Sequence, residues 1–209
     1  MRWNLPNTLT VLRLIAAPGV AVMFLYFARP WADWFALTLF IGAAVTDWFD
    51  GYLARAWKQE SKFGAMLDPI ADKAMVVIAL VVITGYSGMN PWLILPATVI
   101  LFREVFVSGL REFIGADAGK LKVTKLAKWK TTAQMVAIAI LFLGTGLDYL
   151  ETGRAPRAGE GDLPNFATLA DLANHLGLVL IWVAAVLTAI TGWDYFRKAL
   201  PFLRDHKDS

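Results

Sequence analysis

The sequence predicts an all-α integral membrane protein with six transmembrane helices. Of the 209 residues, 57% are hydrophobic, and the mean hydropathy is +0.53. Only 18% are charged, against about 25% in an ordinary soluble domain. The apolar residues are gathered into six runs, each near the roughly 20 residues that a helix needs to cross about 30 Å of hydrocarbon. Lys and Arg are distributed unevenly between the two sides that these runs would separate.

The six predicted spans follow one another with polar segments between them. Residues 1–8 precede the first span, include Arg2 and Trp3, and are expected to lie in the membrane interface as an N-terminal interfacial segment. A Gly- and Pro-rich segment, 149–172, is the predicted long external loop. The length fits a single membrane domain, 1–209. The spans are predicted at 10–29, 32–54, 65–85, 91–113, 131–148 and 173–196.

The positive charges predict which ends of the helices face the cytoplasm. With a cytoplasmic N-terminus, 17 of the 20 Lys and Arg residues fall in cytoplasmic segments or helix ends. The other three, Arg29, Arg154 and Arg157, fall outside. This asymmetry is typical of inner-membrane topology. The Lys-rich run 120–130 is open to two interpretations, attraction to anionic lipid or contact with a substrate.

Composition excludes several chemistries. The chain has no cysteine, so disulfides, thiolate catalysis and cysteine-ligated zinc are ruled out. Two histidines are too few for a histidine-based metal site. Any metal would therefore have to be held by oxygen ligands.

Four aspartates within 26 residues are the most informative feature: Asp47, Asp50, Asp68 and Asp72. A carboxylate at membrane depth is costly, and four together repel one another, so a cation is expected beside them. Asp47 and Asp50 share a helix face with Ala54, while Asp68 and Asp72 are spaced i, i+4. Two antiparallel helices could therefore bring all four carboxylates to one point. Oxygen ligands of this kind suit magnesium, manganese or calcium.

Several interpretations of this cluster compete. The aspartates could form interfacial salt bridges with neighbouring cations, or a carboxylate pair could serve proton relay or ion transport. Gly51 and Gly64 remove side chains beside the carboxylates and would let a helix or ligand approach closely. Arg55 could grip a phosphate. A metal-binding cluster beside a guanidinium favours phosphate chemistry. The candidate salt-bridge partners are Arg55, Lys58, Lys62 and Lys73.

The string Asp47-x2-Asp50-Gly51-x2-Ala54-Arg55-x8-Gly64-x3-Asp68-x3-Asp72 resembles the signature of the CDP-alcohol phosphatidyltransferase family. The resemblance implies a homodimer of six-helix subunits. It also implies that Asp47, Asp50, Asp68 and Asp72 hold two Mg²⁺ or Mn²⁺ ions and that Asp72 is the general base. The residues that would bind the CDP group are Asp47, Asp50, Gly51, Ala54, Arg55 and Gly64. Asn7 and Thr10, like Arg13, could either cap the first helix or touch the nucleotide.

Further strings are similar to the bacterial branch of that family, which uses glycerol 3-phosphate as acceptor. They are Asn4-Leu-Pro-Asn7-Thr8-Leu-Thr10-x2-Arg13, Arg103-Glu104 with Ser108-x-Leu110-Arg111-Glu112, and Lys128-x-Lys130-Thr131-Thr132-Ala133-Gln134-Met135. The resemblance implies transfer of the phosphatidyl group from CDP-diacylglycerol to glycerol 3-phosphate, with release of CMP. The expected place is the bacterial inner membrane, with the site at its cytoplasmic face. With no evident covalent nucleophile, a one-step displacement is expected.

Glycerol 3-phosphate is a dianion, and Arg103, Arg111 and Lys130 are its candidate ligands. Arg103 and Arg111 are spaced i, i+8, so they share a helix face about 12 Å apart. Two alternatives remain. Arg111 and Lys130 could snorkel to the interface, and Arg103 could form a buried pair with Glu104 or Glu112.

Two other functions remain open. A family member could use the same donor with another acceptor, such as phosphatidylglycerol in a cardiolipin synthase or serine in a phosphatidylserine synthase. A protein of a different class, a cation transporter, could also use a carboxylate cluster. The apolar external half of the third span, 76–83, disfavours a transport path, since such a path needs polar groups on both sides.

Overall fold

The computed structural model describes residues 5–56, 61–115, 125–152 and 166–203. Within these ranges the side chains of 48, 50–56, 125–128, 166 and 167 are not described. The described chain forms six α-helices, which confirms the all-α prediction. They are α1 (Leu5–Tyr26), α2 (Trp31–Ala56), α3 (Lys62–Tyr86), α4 (Pro91–Ile114), α5 (Lys125–Thr152) and α6 (Phe166–Leu203).

Four of these helices are long and apolar enough to cross a membrane. They comprise α1, α4, residues Trp129–Thr152 of α5 and residues Thr168–Leu203 of α6. The aspartates lie on the other two helices, α2 and α3. The membrane character of the chain is therefore supported, and the spanning of α2 and α3 stays a prediction.

The helices are longer than the predicted spans because hydropathy marks only the apolar part of each helix. Helix α1 is already helical at Leu5, the first described residue, and Pro6 fits an early helical turn, where its missing N–H costs nothing. Residues 5–8 of the predicted interfacial segment are thus helical, and residues 1–4 lie outside the described chain.

Both ends of the predicted external loop 149–172 are helical in the structure. Helix α5 continues through Thr152 and α6 begins at Phe166. Only residues 153–165 of that loop lie outside the described chain.

The core is built where the helices meet. Helix α1 packs against α2 and α3, and α6 packs against α4 and α5. Large apolar side chains on the outer surface, such as Phe102, Val105 and Val179, stay exposed, as expected for helices that face lipid. The largest fully buried apolar side chains are Phe40, Phe142, Met75, Leu80, Ile100, Ile138 and Ile181.

Polar contacts lie at both ends of the bundle. At one end Arg29 donates to Asp33 (Nε–Oδ2, 2.7 Å) and to the Thr145 carbonyl (2.8 Å). Its guanidinium also lies 5.5 Å from the centre of the Tyr86 ring and 4.7 Å from that of Tyr149. These contacts join the end of α1 to the start of α2 and to the ends of α3 and α5. The aspartates therefore lie at the opposite end from Arg29.

The close approach of α5 and α6 yields a stability prediction. A Cβ added to Gly177 would lie 2.8 Å from Cγ of Leu141 and 3.3 Å from its backbone nitrogen. We expect Gly177→Ala to destabilise the fold by about 1–3 kcal/mol, because the two helices must move apart. The matched control is Gly42→Ala, which meets nothing within 4 Å and gains helix propensity. Thermal unfolding in detergent measures both. Equal unfolding temperatures for the two variants would contradict the packing described here.

Candidate active site

One face of α1 carries three buried polar side chains, Asn7, Thr10 and Arg13. They are three residues apart, so they lie on one side of the helix. This side packs against α2 and α3, the two helices that carry the aspartates. Polar groups buried among apolar helices need partners, and all three find theirs in or beside the aspartate motif.

Arg13 joins α2 to α3. Its Nη1 atom contacts Oδ1 of Asp47 and, at 2.5 Å, Oδ1 of Asp72. The Arg13 side chain is only 2% exposed, whereas those of Asp47 and Asp72 are 47% and 49% exposed. The cation therefore lies inside the bundle, and the two carboxylates lie at its surface.

Thr10 holds a third aspartate. Its hydroxyl lies 2.7 Å from Oδ1 of Asp68 and 3.1 Å from the carbonyl of Pro6. A hydroxyl has one proton, and the charged, closer acceptor is the stronger one. Thr10 thus orients Asp68 from α1.

Asn7 fixes the start of α3. The Ser61 hydroxyl donates to Oδ1 of Asn7 (2.8 Å) and accepts from the backbone N–H of Gly64 (3.0 Å), which caps α3. A Cβ on Gly64 would lie 2.8 Å from that same Asn7 oxygen. The glycine therefore makes room for α1, which is one of the two uses that its position in the sequence suggested.

The structure brings part of the predicted metal site together. Asp47 and Asp72 converge on Arg13, and Asp68 lies on Thr10. The side chain of Asp50, with those of 51–55, lies outside the description. Within the described residues, no three carboxylate or histidine side chains are close enough to hold a metal ion.

A second polar cluster surrounds Glu104 on α4. Lys130 of α5 contacts Oε1 of Glu104 at 2.5 Å, and Nη1 of Arg103 contacts the same oxygen at 3.0 Å. Lys130 is buried. The stem of Arg103 packs on α6, where a Cβ on Gly192 would lie 2.9 Å from its Cγ. The cluster thus joins α4, α5 and α6.

Lys73 connects this cluster to α3. Its ammonium group donates to the Ser108 hydroxyl, which donates to the backbone carbonyl of Glu104 at 2.5 Å. Lys73, Arg103 and Lys130 are three cations around one carboxylate, so the cluster carries a surplus of two positive charges. Such a surplus matches a dianionic ligand.

The predicted acceptor residues are only partly brought together. Arg103 and Lys130 meet at Glu104, while Arg111 lies exposed in the last turn of α4. The suggested pairing of Arg103 with Glu104 is present. Lys130 lies buried and is paired with Glu104.

Comparison with protein families matches most of the chain to a single family. The family model described as CDP-alcohol phosphatidyltransferase matches residues 3–190, which include every charged residue of the two clusters. The chain belongs to the CDP-alcohol phosphatidyltransferase family.

Curated relatives within this family match the chain over nearly its whole length. A protein from Cereibacter sphaeroides is 75% identical over 99% of this chain and 100% of its own length. Relatives from Shigella flexneri and Escherichia coli strain K12 are each 38% identical over 98% of this chain and 100% of their own lengths. All three are named CDP-diacylglycerol–glycerol-3-phosphate 3-phosphatidyltransferase.

In this family member, the observed partner of the aspartates is Arg13, which the sequence did not predict as their partner. The candidate partners were cations close in sequence, but Lys73 contacts Ser108, and Arg13 contacts Asp47 and Asp72. The signal was present in the sequence, since Asn7, Thr10 and Arg13 share one face of an otherwise apolar helix. Glu104 was considered only as a partner of Arg103, and Ser108 was seen as part of a motif without a role.

The contact between Thr10 and Asp68 gives a second prediction. Thr10→Val keeps the shape of the side chain and removes the hydroxyl, leaving a carboxylate oxygen without its donor. We expect the free energy of unfolding to fall by about 1–2 kcal/mol, measured by thermal unfolding in detergent. Thr10→Ser retains the hydroxyl and is expected to lose less. A valine variant as stable as the serine variant would show that the hydroxyl contributes nothing.

Proposed function

We propose that this chain transfers the phosphatidyl group of CDP-diacylglycerol to glycerol 3-phosphate, giving phosphatidylglycerol phosphate and CMP. The observation that carries the proposal is the full-length match, at 75% identity, to a relative named for that reaction. The two polar clusters support it, since one offers carboxylates and the other a surplus of positive charge.

The aspartate motif is the proposed site of two divalent ions, Mg²⁺ or Mn²⁺. Its donors are all carboxylate oxygens, which these ions prefer. Asp47 and Asp72 already approach one another at Arg13 and remain half exposed, so an ion can reach them. With Asp50 and Asp68 they would hold the ions. When bound, such ions neutralise charge on a pyrophosphate and on the departing CMP.

Asp72 is the proposed general base. Its carboxylate is half exposed and lies beside that of Asp47, at the contact with Arg13. It would take the proton from the glycerol 1-hydroxyl as that oxygen attacks the β-phosphorus of CDP-diacylglycerol. The bond from phosphorus to the bridging oxygen breaks, and the electron pair leaves with CMP.

The contacts of the hydroxyl groups around this site favour a single displacement over a covalent enzyme intermediate. Thr10, Ser61 and Ser108 each hydrogen bond to an aspartate, an amide or a lysine. These contacts engage each of the three hydroxyls within the protein. The acceptor hydroxyl would then attack directly, with inversion at a chiral β-phosphorus.

The cluster around Glu104 is the proposed site for the phosphate of glycerol 3-phosphate. Asp72 and Lys73 are neighbours on α3, and they face different helices. Asp72 faces Arg13 on α1, and Lys73 faces Ser108 on α4. An acceptor whose phosphate lies near Lys73, Arg103 and Lys130 would therefore place its hydroxyl on the side of Asp72. Arg111, further along α4, would meet the acceptor at the entrance.

The proposed setting is the bacterial inner membrane. Helices α2 and α3 have 26 and 25 residues, long enough to cross the hydrocarbon, and would complete six spans. The distribution of positive charges supports a cytoplasmic position for the aspartates, on the side where CMP and glycerol 3-phosphate are dissolved. The proposed nucleotide ligands are Asn7, Thr10, Asp47, Asp50, Gly51, Ala54, Arg55 and Gly64, and the proposed assembly is a homodimer.

An acceptor panel tests the reaction. Purified protein in detergent, with magnesium and CDP-diacylglycerol, is offered glycerol 3-phosphate, serine, inositol phosphate or phosphatidylglycerol. We expect CMP release with glycerol 3-phosphate alone. In Asp72→Asn the rate should fall by at least about a hundredfold, since general-base catalysis contributes about 10²–10⁴-fold.

The panel separates the competing functions. Turnover with another acceptor would keep the donor chemistry and overturn the acceptor assignment. Cation uptake into liposomes, with no CMP from any acceptor, would support the transporter instead. A fully active Asp72→Asn variant would exclude Asp72 as the base.

Lys130 tests the acceptor site separately. Lys130→Met removes one of the surplus charges, while Arg103 still pairs with Glu104. We expect the KM for glycerol 3-phosphate to rise about tenfold or more, because a lost charged hydrogen bond costs about 1.5–3 kcal/mol. The KM for CDP-diacylglycerol should not change. Lys198→Met is the matched control, since Lys198 pairs with Asp194 on α6, outside both clusters. Equal effects on both KM values would place Lys130 outside the acceptor site.

A further inference from the structure

We propose that Arg13 is a positioning residue that sets the separation of Asp47 and Asp72 and thereby creates their affinity for a divalent ion. This inference rests on the proposed function, because it assumes that these aspartates are metal ligands. It adds a role for α1, a helix that carries no aspartate of the motif.

The two contacts of a single Arg13 nitrogen are the first observation that supports the positioning role. One atom, Nη1 of Arg13, contacts an Oδ1 atom from α2 and another from α3. Two oxygens that are hydrogen-bonded to the same nitrogen lie within about 6 Å of each other. Without that nitrogen, two like charges on separate helices would move apart. Arg13 therefore sets a distance that neither α2 nor α3 sets alone.

The burial of Arg13 behind its two partner carboxylates is a second observation that supports the positioning role. Arg13 is 2% exposed, and the carboxylates that it contacts are about half exposed. Both contacts are made to an Oδ1 atom of the carboxylate. An ion arriving from the solvent side can therefore reach the carboxylates while Arg13 stays in place behind them. A buried guanidinium with carboxylates on its outer side is the arrangement expected of a support for ligands.

The rest of the α1 face points to the same role. Thr10 contacts Asp68, and Asn7 contacts the cap of α3. Three successive positions on one face of α1 thus each fix part of the motif. Arg13 reaches both α2 and α3.

Metal affinity distinguishes positioning from simple charge compensation, because the two roles predict opposite signs. If Arg13 only offsets negative charge, removing it leaves a more negative site that binds a divalent ion more tightly. If Arg13 holds the ligands at the right separation, removing it weakens binding. The measurement is Mn²⁺ binding to the purified full-length protein in detergent, followed by electron paramagnetic resonance of free Mn²⁺.

Three variants complete the experiment. Arg13→Met removes the nitrogen, and Arg13→Lys keeps a charged nitrogen on a shorter side chain. Arg29→Met is the matched control, because it breaks an arginine–aspartate pair at the opposite end of the bundle. We expect Mn²⁺ affinity to fall at least tenfold in Arg13→Met, to fall less in Arg13→Lys, and to be unchanged in Arg29→Met. Thermal unfolding in EDTA identifies any variant that does not fold.

The results test the positioning role of Arg13 and the proposed metal site separately. Unchanged or tighter Mn²⁺ binding by a folded Arg13→Met variant would overturn the positioning role. If Arg13→Met does not fold, Arg13→Lys decides, and wild-type affinity in that variant would overturn the role. No Mn²⁺ binding by the wild-type protein would refute the metal site of the proposed function, and the inference would fall with it.

Discussion

The structure depends on how carboxylates are kept together at the end of an apolar bundle. Asp47 and Asp72 come from different helices and repel one another, and they share one buried cation, Arg13. The cation comes from α1, so three helices must be assembled before the pair exists. This dependence explains why α1 carries a polar face within an apolar helix. A polar group in such a place is costly unless its partners are fixed.

The two clusters are joined by consecutive residues of α3. Asp72 turns toward α1 and Lys73 turns toward α4, because neighbouring residues on a helix point about 100° apart. The first cluster offers exposed carboxylates, and the second offers a surplus of positive charge around Glu104. A reaction that joins a pyrophosphate donor to an anionic acceptor needs both kinds of site side by side. Helix α3 provides this arrangement through its own periodicity.

The sequence alone predicted the helical class and the motif because both depend on local spacing. Apolar runs marked all six helices, and the i, i+4 spacing placed Asp68 and Asp72 on one face. Helix ends were missed, as at Lys62, where the span was predicted to begin at 65, because a polar end turn carries no hydropathy signal. The partner of the aspartates was also missed, since Arg13 is 34 residues from Asp47 and 59 from Asp72. Contacts of that range depend on packing, which spacing along one helix does not reveal. The pairing of Lys130 with Glu104 was missed for the same reason.

The most direct test of this account is a crystal structure with Mn²⁺ and a CDP-diacylglycerol analogue, using anomalous scattering to locate manganese. The account predicts anomalous peaks bounded by Asp47, Asp50, Asp68 and Asp72, with Arg13 retained behind Asp47 and Asp72. It also predicts that the β-phosphate of the analogue lies between those peaks and the cluster around Glu104. Manganese bound elsewhere, or Arg13 displaced from both aspartates, would contradict it.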